Sequence, residues 1–479
     1  MIGRKKEIQE LNDIMESNKS EFVAIYGRRR VGKTFLINEV YRNNIVFRHT
    51  GLPPIIDMSD NSGNKLKRQL ESFSNSLYEY KMIDKRKKIK SWLEAFDLLR
   101  EGIDKNYNSH RIVLFIDEMP WMDTPKSYFL EAFTNFWNNY CTHMNNIVLV
   151  VCGSASSWIL NNVIHSKGGL YGRITHQIQL LPFNLKECEE FLIENGINYS
   201  RYEIAEAYMS LGGIPYYLGY LNKRLSLAQN LDCLFFNKNA ILANEFNELF
   251  SSQFTTPEKY RKIVEVLGEK NIGYKLNEII EKINVSSNGS LYEIIRALEK
   301  SAFIISYIPF GGKNKDKRYK LIDPFCLFYL KQVKNNLGND NYWQSNIENQ
   351  KIVTWRGLAF ENLCFNHIAN IKKQMGISGI ASSDSMWYLI DDSDRNAPID
   401  LILNRKDNVV NLCEIKFYNN ELVLNKDMHL NLMNKANALS RFVNKRSSIQ
   451  KVLITKFGLK NSQYLSDFSN VIVLDDLFE

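Results

Sequence analysis

Cysteine and histidine are scarce in this 479-residue chain, with seven of each. The cysteines are scattered and odd in number, and none forms a CxxC pair. That excludes a zinc ribbon and argues against a disulfide framework. No HExxH pattern occurs, so a His/Cys metal site is not expected. Cys152, Cys326 and Cys413 sit in apolar runs and read as small core residues. Long apolar runs are also missing. None, Ile147 to Cys152 included, approaches the roughly 18 residues that a membrane-spanning helix needs. The N-terminal MIGRKKEIQELN has no apolar stretch behind its charges, unlike a secretory signal. The protein is therefore expected in the cytoplasm, without a membrane partner. Neither sign of charge dominates. Lys+Arg number 61 and Asp+Glu 53, a formal charge of +8 that permits an anionic partner without requiring one. The 44% hydrophobic and 24% charged fractions are those of a globular chain, which excludes wholesale disorder and collagen-like or mucin-like sequence. At roughly 100–200 residues per domain, the length suggests about three domains.

Three short apolar runs organise the first part of the chain: Phe22–Tyr26, Arg111–Ile116 and Asn146–Cys152. They are separated by helical patterns and read as buried strands of a parallel sheet. Each run closes on small or polar residues, which would then line the carboxyl edge of the sheet, where open α/β folds bind ligands. Residues 184–256 are rich in helix formers and read as a small helical bundle. Residues 257–330 show three helical patterns and then two strands, Phe303–Ile308 and Arg318–Ile322, flanking a loop at 309–317. That order is the order of a winged helix-turn-helix. A helical connector follows, and a final α/β unit spans 345–479. No internal repeat appears, and Lys85–Lys90 is the densest basic run.

Gly27-Arg28-Arg29-Arg30-Val31-Gly32-Lys33-Thr34 matches GxxxxGK[ST] at every fixed position, with an apolar run before it and an amphipathic segment, Phe35 to Tyr41, after it. Such a loop turns backbone N–H groups inward around phosphates. Lys33 would reach the β/γ-phosphates and Thr34 would ligand Mg²⁺. Asp117 closes a strand and would hold the metal through water, while Glu118 could polarise the attacking water. The bland alternative for this pair is the cap and first-turn acid of the next helix. Ser154 closes the third strand, as a γ-phosphate sensor or a simple turn serine. Arg173 could be an arginine finger, acting in cis or across a homo-oligomer, or an ordinary surface arginine.

Several stretches together carry a resemblance: IGRKKEIQELN, GRRRVGKT, FIDEMPWM, CGSASSW, GRIT and GGIPYYL. Taken in order over about residues 1–330, they look like the archaeal-type ATPases, within the AAA+-like and STAND-like P-loop ATPases. The resemblance implies ATP as ligand with Mg²⁺, and a helical lid to which Gly212, Gly213 and Pro215 contribute beside the nucleotide.

The loop from Gly311 to Lys320 holds five basic residues and one acid. A basic wing of this kind could contact a DNA backbone while the third helix, Ser290–Lys300, lies in a groove. Glu293 and Glu299 offset Arg296 and Lys300 on that helix, so weak or shape-based contact is expected. The alternative is a module for protein or interdomain contact.

In the last unit, Asp400 lies in one apolar run, and Glu414 and Lys416 lie in the next. Folding 404–408 as a turn places position 400 opposite 414, and residues two apart share a strand face. Two carboxylates and a lysine therefore converge. Asp400 and Glu414 could hold Mg²⁺ or Mn²⁺ to activate water, and Lys416 could orient that water or stabilise developing charge. This D…ExK pattern, led by the helix acid Glu361, looks like the PD-(D/E)XK nuclease superfamily. It also resembles the C-terminal domain of unknown function attached to archaeal-type ATPases. The resemblance implies Glu361 as a third acid, and later core strands at Val452–Thr455 and Val471–Leu474. The alternatives are an ordinary salt-bridged hairpin or a nuclease-like fold used only for binding. The acidic stretch Asp391–Asp394 lacks calcium-loop spacing and reads as a solvated turn.

Two functions follow. One is a nucleotide-driven enzyme that engages and cuts DNA. The other is an ATP-held regulatory switch whose later domains bind DNA or a partner protein without cleavage. A transporter or chaperone ATPase is the weaker third.

Overall fold

The computed structural model describes residues 2–53, 62–107, 110–154, 158–165, 168–251, 253–254, 256–284, 289–387, 398–460 and 463–479. Ala155–Ser157 of the CGSASSW motif, residues 285–288, the acidic stretch Asp391–Asp394 and Ala397 lie outside them. The chain divides into two compact units, one of residues 1–181 with 252–254 and one of 182–251 with 255–479.

The first unit is built on five parallel strands: β1 (Glu21–Tyr26), β2 (Ile45–Thr50), β3 (Ile112–Asp117), β4 (Ile147–Gly153) and β5 (His176–Gln179). Their order is β2-β3-β4-β1-β5. Every residue of β1, β3 and β4 is buried, as expected of central strands covered on both faces. These are the three strands that the apolar runs predict. The two edge strands, β2 and β5, are not conspicuous in the sequence. IVFRHT and HQIQ interleave polar residues, because an edge strand keeps one side near solvent. An aromatic layer fills one face. Trp92 meets Phe73 at 5.5 Å and Phe129 at 5.0 Å between ring centroids, both edge-on. Parallel pairing sets Tyr26 beside Gly153 and brings the ends of β1, β3 and β4 to one edge.

The second unit opens with helices, among them Leu185–Glu194, Arg201–Leu211 and Glu245–Ser251. The first two begin with capping boxes, at Asn184 with Glu187 and at Ser200 with Glu203. Three helices follow, Pro257–Leu267, Leu276–Ile283 and Gly289–Lys300. They accompany a small antiparallel sheet of β6 (Tyr274–Lys275), β7 (Ile304–Tyr307) and β8 (Arg318–Leu321), ordered β6-β8-β7. The short β6 has no sequence signal of its own. The helix Gln350–Asn366 then leads into a mixed sheet. Its strands are β9 (Ser382–Trp387), β10 (Ile399–Arg405), β11 (Val409–Lys416), β12 (Ser448–Thr455) and β13 (Asn470–Val473), and its order is β13-β12-β11-β10-β9. β9, β10 and β11 pair antiparallel, and β11, β12 and β13 pair parallel. Among the described residues, no helix is long and apolar enough to cross a membrane.

The basic loop before β8 differs from the expectation of a free, positively charged wing. Phe310 donates its N–H to the Met386 carbonyl at 3.3 Å and packs against the apolar cluster of Ile399 and Ile402. Arg318 donates to the Gly273 carbonyl at 3.0 Å, and Lys320 is fully buried. Two of the five basic side chains are thus withdrawn from the surface, because β8 is the central strand of its sheet and their stems lie in its packing.

His367 ties the helices of this unit together. Its Nε2 accepts the Leu185 N–H at 3.0 Å, and its Nδ1 donates to the Leu363 carbonyl at 2.8 Å. Both ring nitrogens are used by one neutral tautomer, and burial pulls the imidazole pKa down to about 4. The unfolded chain therefore takes up a proton near pH 6.5 while the fold resists it, so stability falls as pH drops from about 6.5 toward 4. His367→Gln keeps an acceptor without the titration. Unfolding in urea at pH 7 and pH 5 should show the variant's pH-dependent loss smaller by about 2 kcal/mol. An equal loss in both proteins would remove His367 as its source.

Candidate functional sites

The phosphate loop leaves β1 at Tyr26. Gly27 takes φ 150°, and a Cβ there would lie 2.3 Å from the Leu180 carbonyl oxygen, so no other residue fits. Arg30 is left-handed, at φ 70°. The loop is stiffened from outside by Arg4 of the N-terminal IGRKKE, whose Nη2 donates to the Val31 carbonyl at 3.1 Å. The sequence assigns no role to that arginine. Lys33 opens the helix Lys33–Val40 and is buried. Its Nζ donates to the carbonyls of Gly27 at 3.0 Å and Arg28 at 2.9 Å, spanning the hollow that phosphate oxygens would fill.

Thr34 and Asp117 meet directly: Thr34 Oγ1 donates to Asp117 Oδ2 at 2.7 Å. Asp117 is buried, its Oδ1 accepts the Glu118 N–H at 3.0 Å, and the Arg48 guanidinium lies 3.8 Å away. A hydroxyl and a carboxylate in contact are hard oxygen donors that suit Mg²⁺. Glu118 has φ 45°, a strained backbone for a non-glycine residue of the kind found at functional sites. Its side chain does not cap the helical turn Met119–Met122 that it precedes. Instead Glu118 Oε2 accepts from Ser154 Oγ at 2.9 Å and Ser154 N at 3.1 Å. Ser154 is fully buried, and Gln253 donates to its carbonyl at 2.9 Å. The structure thus joins two residues that the sequence treats separately. Arg173 is exposed on a turn of the same unit. Pro215 begins a four-residue helix in the second unit, after Gly213, where a Cβ would lie 1.8 Å from the Phe183 carbonyl oxygen.

The second constellation lies on β10 and β11. Leu401 pairs with Cys413 and Asn404 with Val410, the register in which 400 faces 414. Asp400 Oδ2 accepts the Ile415 N–H at 3.0 Å, and Lys416 Nζ is 3.9 Å from the same oxygen. Lys416 Nζ is 2.6 Å from Glu414 Oε1, and Lys435, from the helix Lys426–Ser440, donates to Glu414 Oε2 at 2.7 Å. Lys435 is buried and comes from outside the D…ExK pattern, so the sequence reading missed it. Burial and the neighbouring Glu414 push the Asp400 carboxyl up. Burial also raises the Glu414 carboxyl, but Lys416 and Lys435 outweigh it and hold it down. A cavity of about 200 Å³ opens beside Glu414, Lys416 and Lys435, walled mainly by Leu422, Leu424 and Met428.

Glu361 departs from the expectation of a third metal acid. It lies on the helix Gln350–Asn366, but its Oε2 accepts from Asn271 Nδ2 at 2.5 Å. Among the described residues, no three His, Cys, Asp or Glu side chains gather as a metal-ligand group. Asn271 and the buried Lys320 behind it attract the Glu361 carboxylate, so the acids that share the β10–β11 face are Asp400 and Glu414. They fit a divalent cation as oxygen donors. Both Glu414 oxygens are held by lysines.

Residues 1–221 match a family described as an ATPase domain predominantly from Archaea. The chain is 26% identical over 425 residues to an uncharacterized protein of Methanocaldococcus jannaschii, covering 87% of each. It is 28% identical over 280 residues to an uncharacterized ATP-binding protein of Pyrococcus abyssi, covering 56% of this chain and 82% of that one. Among solved structures, a Walker-type ATPase of Pyrococcus abyssi aligns with a TM-score of 0.50 at 16% identity, over 69% of this chain and 96% of that one. The first unit therefore has the α/β P-loop NTPase fold, and residues 1–221 are similar to that ATPase family.

Proposed function

We propose that the chain binds and hydrolyses ATP with Mg²⁺ and uses that cycle to govern a C-terminal domain that cleaves DNA. The Thr34–Asp117 contact at the mouth of the phosphate loop supports the ATPase half. Lys33 would hold the β/γ-phosphates, Thr34 and Asp117 the Mg²⁺, and Glu118 would accept a proton from the attacking water once Ser154 releases it. Ser154 would then exchange its bond to Glu118 for the γ-phosphate. Arg173 would neutralise charge on the transferring group, in cis or from a second copy, and Gly212, Gly213 and Pro215 would form part of a lid.

The convergence of Asp400, Glu414 and Lys416 on adjacent strands is the observation that carries the nuclease half. Asp400 and Glu414 would hold Mg²⁺ or Mn²⁺, which supplies an activated water. Lys416 would orient that water, and Lys435 would stabilise charge on the phosphate oxygens. The three helices and small sheet of 257–321 support a winged helix-turn-helix that engages DNA through Gly289–Lys300. The withdrawn loop favours a second reading, in which this segment and the C-terminal domain form a non-catalytic regulatory module for DNA or a partner protein.

Linear, supercoiled and single-stranded DNA, incubated with Mn²⁺ or Mg²⁺ and with or without ATP, separate the two. The first reading expects cleavage that Asp400→Ala lowers by about a hundredfold or more, with ATP hydrolysis unchanged. No cleavage of any substrate, with hydrolysis intact, would establish the switch instead.

A further inference from the structure

Ser154 is held on both sides of its Cα. It has no solvent exposure, and its N–H and Oγ both donate to Glu118 Oε2, at 3.1 and 2.9 Å. Its carbonyl accepts from Gln253 Nε2 at 2.9 Å. The N–H and the carbonyl belong to the two rigid peptide planes that flank one Cα, so these bonds together fix both backbone dihedrals of Ser154. With the backbone fixed, the hydroxyl stands where it meets Glu118.

Gln253 lies on a short link. The helices Glu245–Ser251 and Pro257–Leu267 belong to the second unit, whereas residues 252–254 between them belong to the first. Gln253 and Phe254 of this link are both buried. A glutamine amide in such a place satisfies a buried carbonyl that would otherwise lack a donor. The carbonyl it satisfies is that of the residue engaging Glu118, which ties the link to the reaction.

We propose that Gln253 is a positioning residue of the nucleotide site and acts as a brake on hydrolysis. By pinning the Ser154 backbone it keeps both Ser154 donors on Glu118, and so keeps that carboxylate from the attacking water. When the link shifts, Ser154 turns to the γ-phosphate and Glu118 is released. The water then gives a proton to Glu118 as its oxygen bonds the γ-phosphorus and the bond to ADP breaks. This rests on reading Glu118 as the proton acceptor.

The test measures single-turnover hydrolysis of ATP by the full chain with Mg²⁺ and, separately, nucleotide affinity. Gln253→Met keeps the length of the side chain and removes the donor. It should hydrolyse ATP about fivefold faster than wild type, the effect of one hydrogen bond of ordinary net strength, with nucleotide affinity unchanged. In a Ser154→Ala background the same change should give a smaller gain, because both changes release one carboxylate. Gln253→Glu, of the same shape but unable to donate when ionised, should give at least the fivefold gain and carries the test if the methionine variant folds poorly. Unfolding of the first unit is followed in parallel. A purely structural role would lower its midpoint without speeding hydrolysis, and that result would overturn the proposal. So would an equal gain with and without the Ser154 hydroxyl. Glu118→Gln is the control: hydrolysis at the wild-type rate there would sink the acceptor reading itself, whereas slow hydrolysis there with no gain in Gln253→Met would sink the brake alone.

Discussion

Changing Lys33 to alanine should lower ATP turnover by about a hundredfold or more, the usual loss when a preorganised charge at a phosphoryl-transfer site is removed. Two effects add. The first is loss of the cation that meets the β/γ-phosphates. The second is local. Lys33 Nζ bonds the carbonyls of Gly27 and Arg28 and so keeps the loop open around the space for phosphate. Without it, those carbonyls are free to turn toward the ligand and repel it, so nucleotide affinity should drop as well as turnover. Thr34→Ala should behave differently. It removes the hydroxyl that meets Asp117 but leaves the lysine, so nucleotide should still bind while the dependence on Mg²⁺ concentration shifts upward. Hydrolysis of radiolabelled ATP and displacement of a fluorescent nucleotide distinguish the two variants. Wild-type turnover in Lys33→Ala would remove the phosphate loop from the reaction altogether.

The nucleotide site was legible because its chemistry is local. A loop that wraps phosphates draws its ligands from eight consecutive residues, and the central strands that present it are buried on both faces and hence continuously apolar. The β10–β11 register was legible for a related reason. A short turn at 404–408 sets which residues face each other, and Asp400, Glu414 and Lys416 follow from counting. What escaped the sequence are partners delivered by tertiary packing. Lys435 reaches Glu414 from a helix 21 positions on, and Asn271 reaches Glu361 across 90 positions. The bond of Ser154 to Glu118 joins two strand ends that are neighbours only once the sheet is ordered. No periodicity or motif encodes such meetings. Glu361 illustrates the consequence. Its place on a helix before the sheet is legible, and its bond to Asn271 is not, because Asn271 and Lys320 carry no signal that separates them from surface residues.

The acid with most at stake in the second unit is Glu414. Two lysines, one of them buried, hold its two oxygens, and removing it takes the carboxylate partner from the buried Lys435 while Lys416 keeps Asp400 at 3.9 Å. Breaking a buried ion pair from one side is expected to cost about 3–5 kcal/mol. Glu414→Ala should therefore lower the unfolding transition of the second unit markedly, while the first unit's transition and ATP hydrolysis stay close to wild type. The chain has two compact units, so unfolding should be followed by probes that report each separately rather than as a single two-state change. The double variant Glu414→Ala/Lys435→Met makes the argument sharp. Replacing both members of the pair by apolar groups removes the orphaned charge, and most of the lost stability should return. DNA cleavage should not return with it, because the carboxylate that would hold the metal is still absent. Equal destabilisation in the single and double variants would show that the loss arises from a cavity at position 414 and not from charge. Recovery of stability without recovery of cleavage would separate the two duties of Glu414, as the counter-charge of a lysine pair and as an oxygen donor of the site.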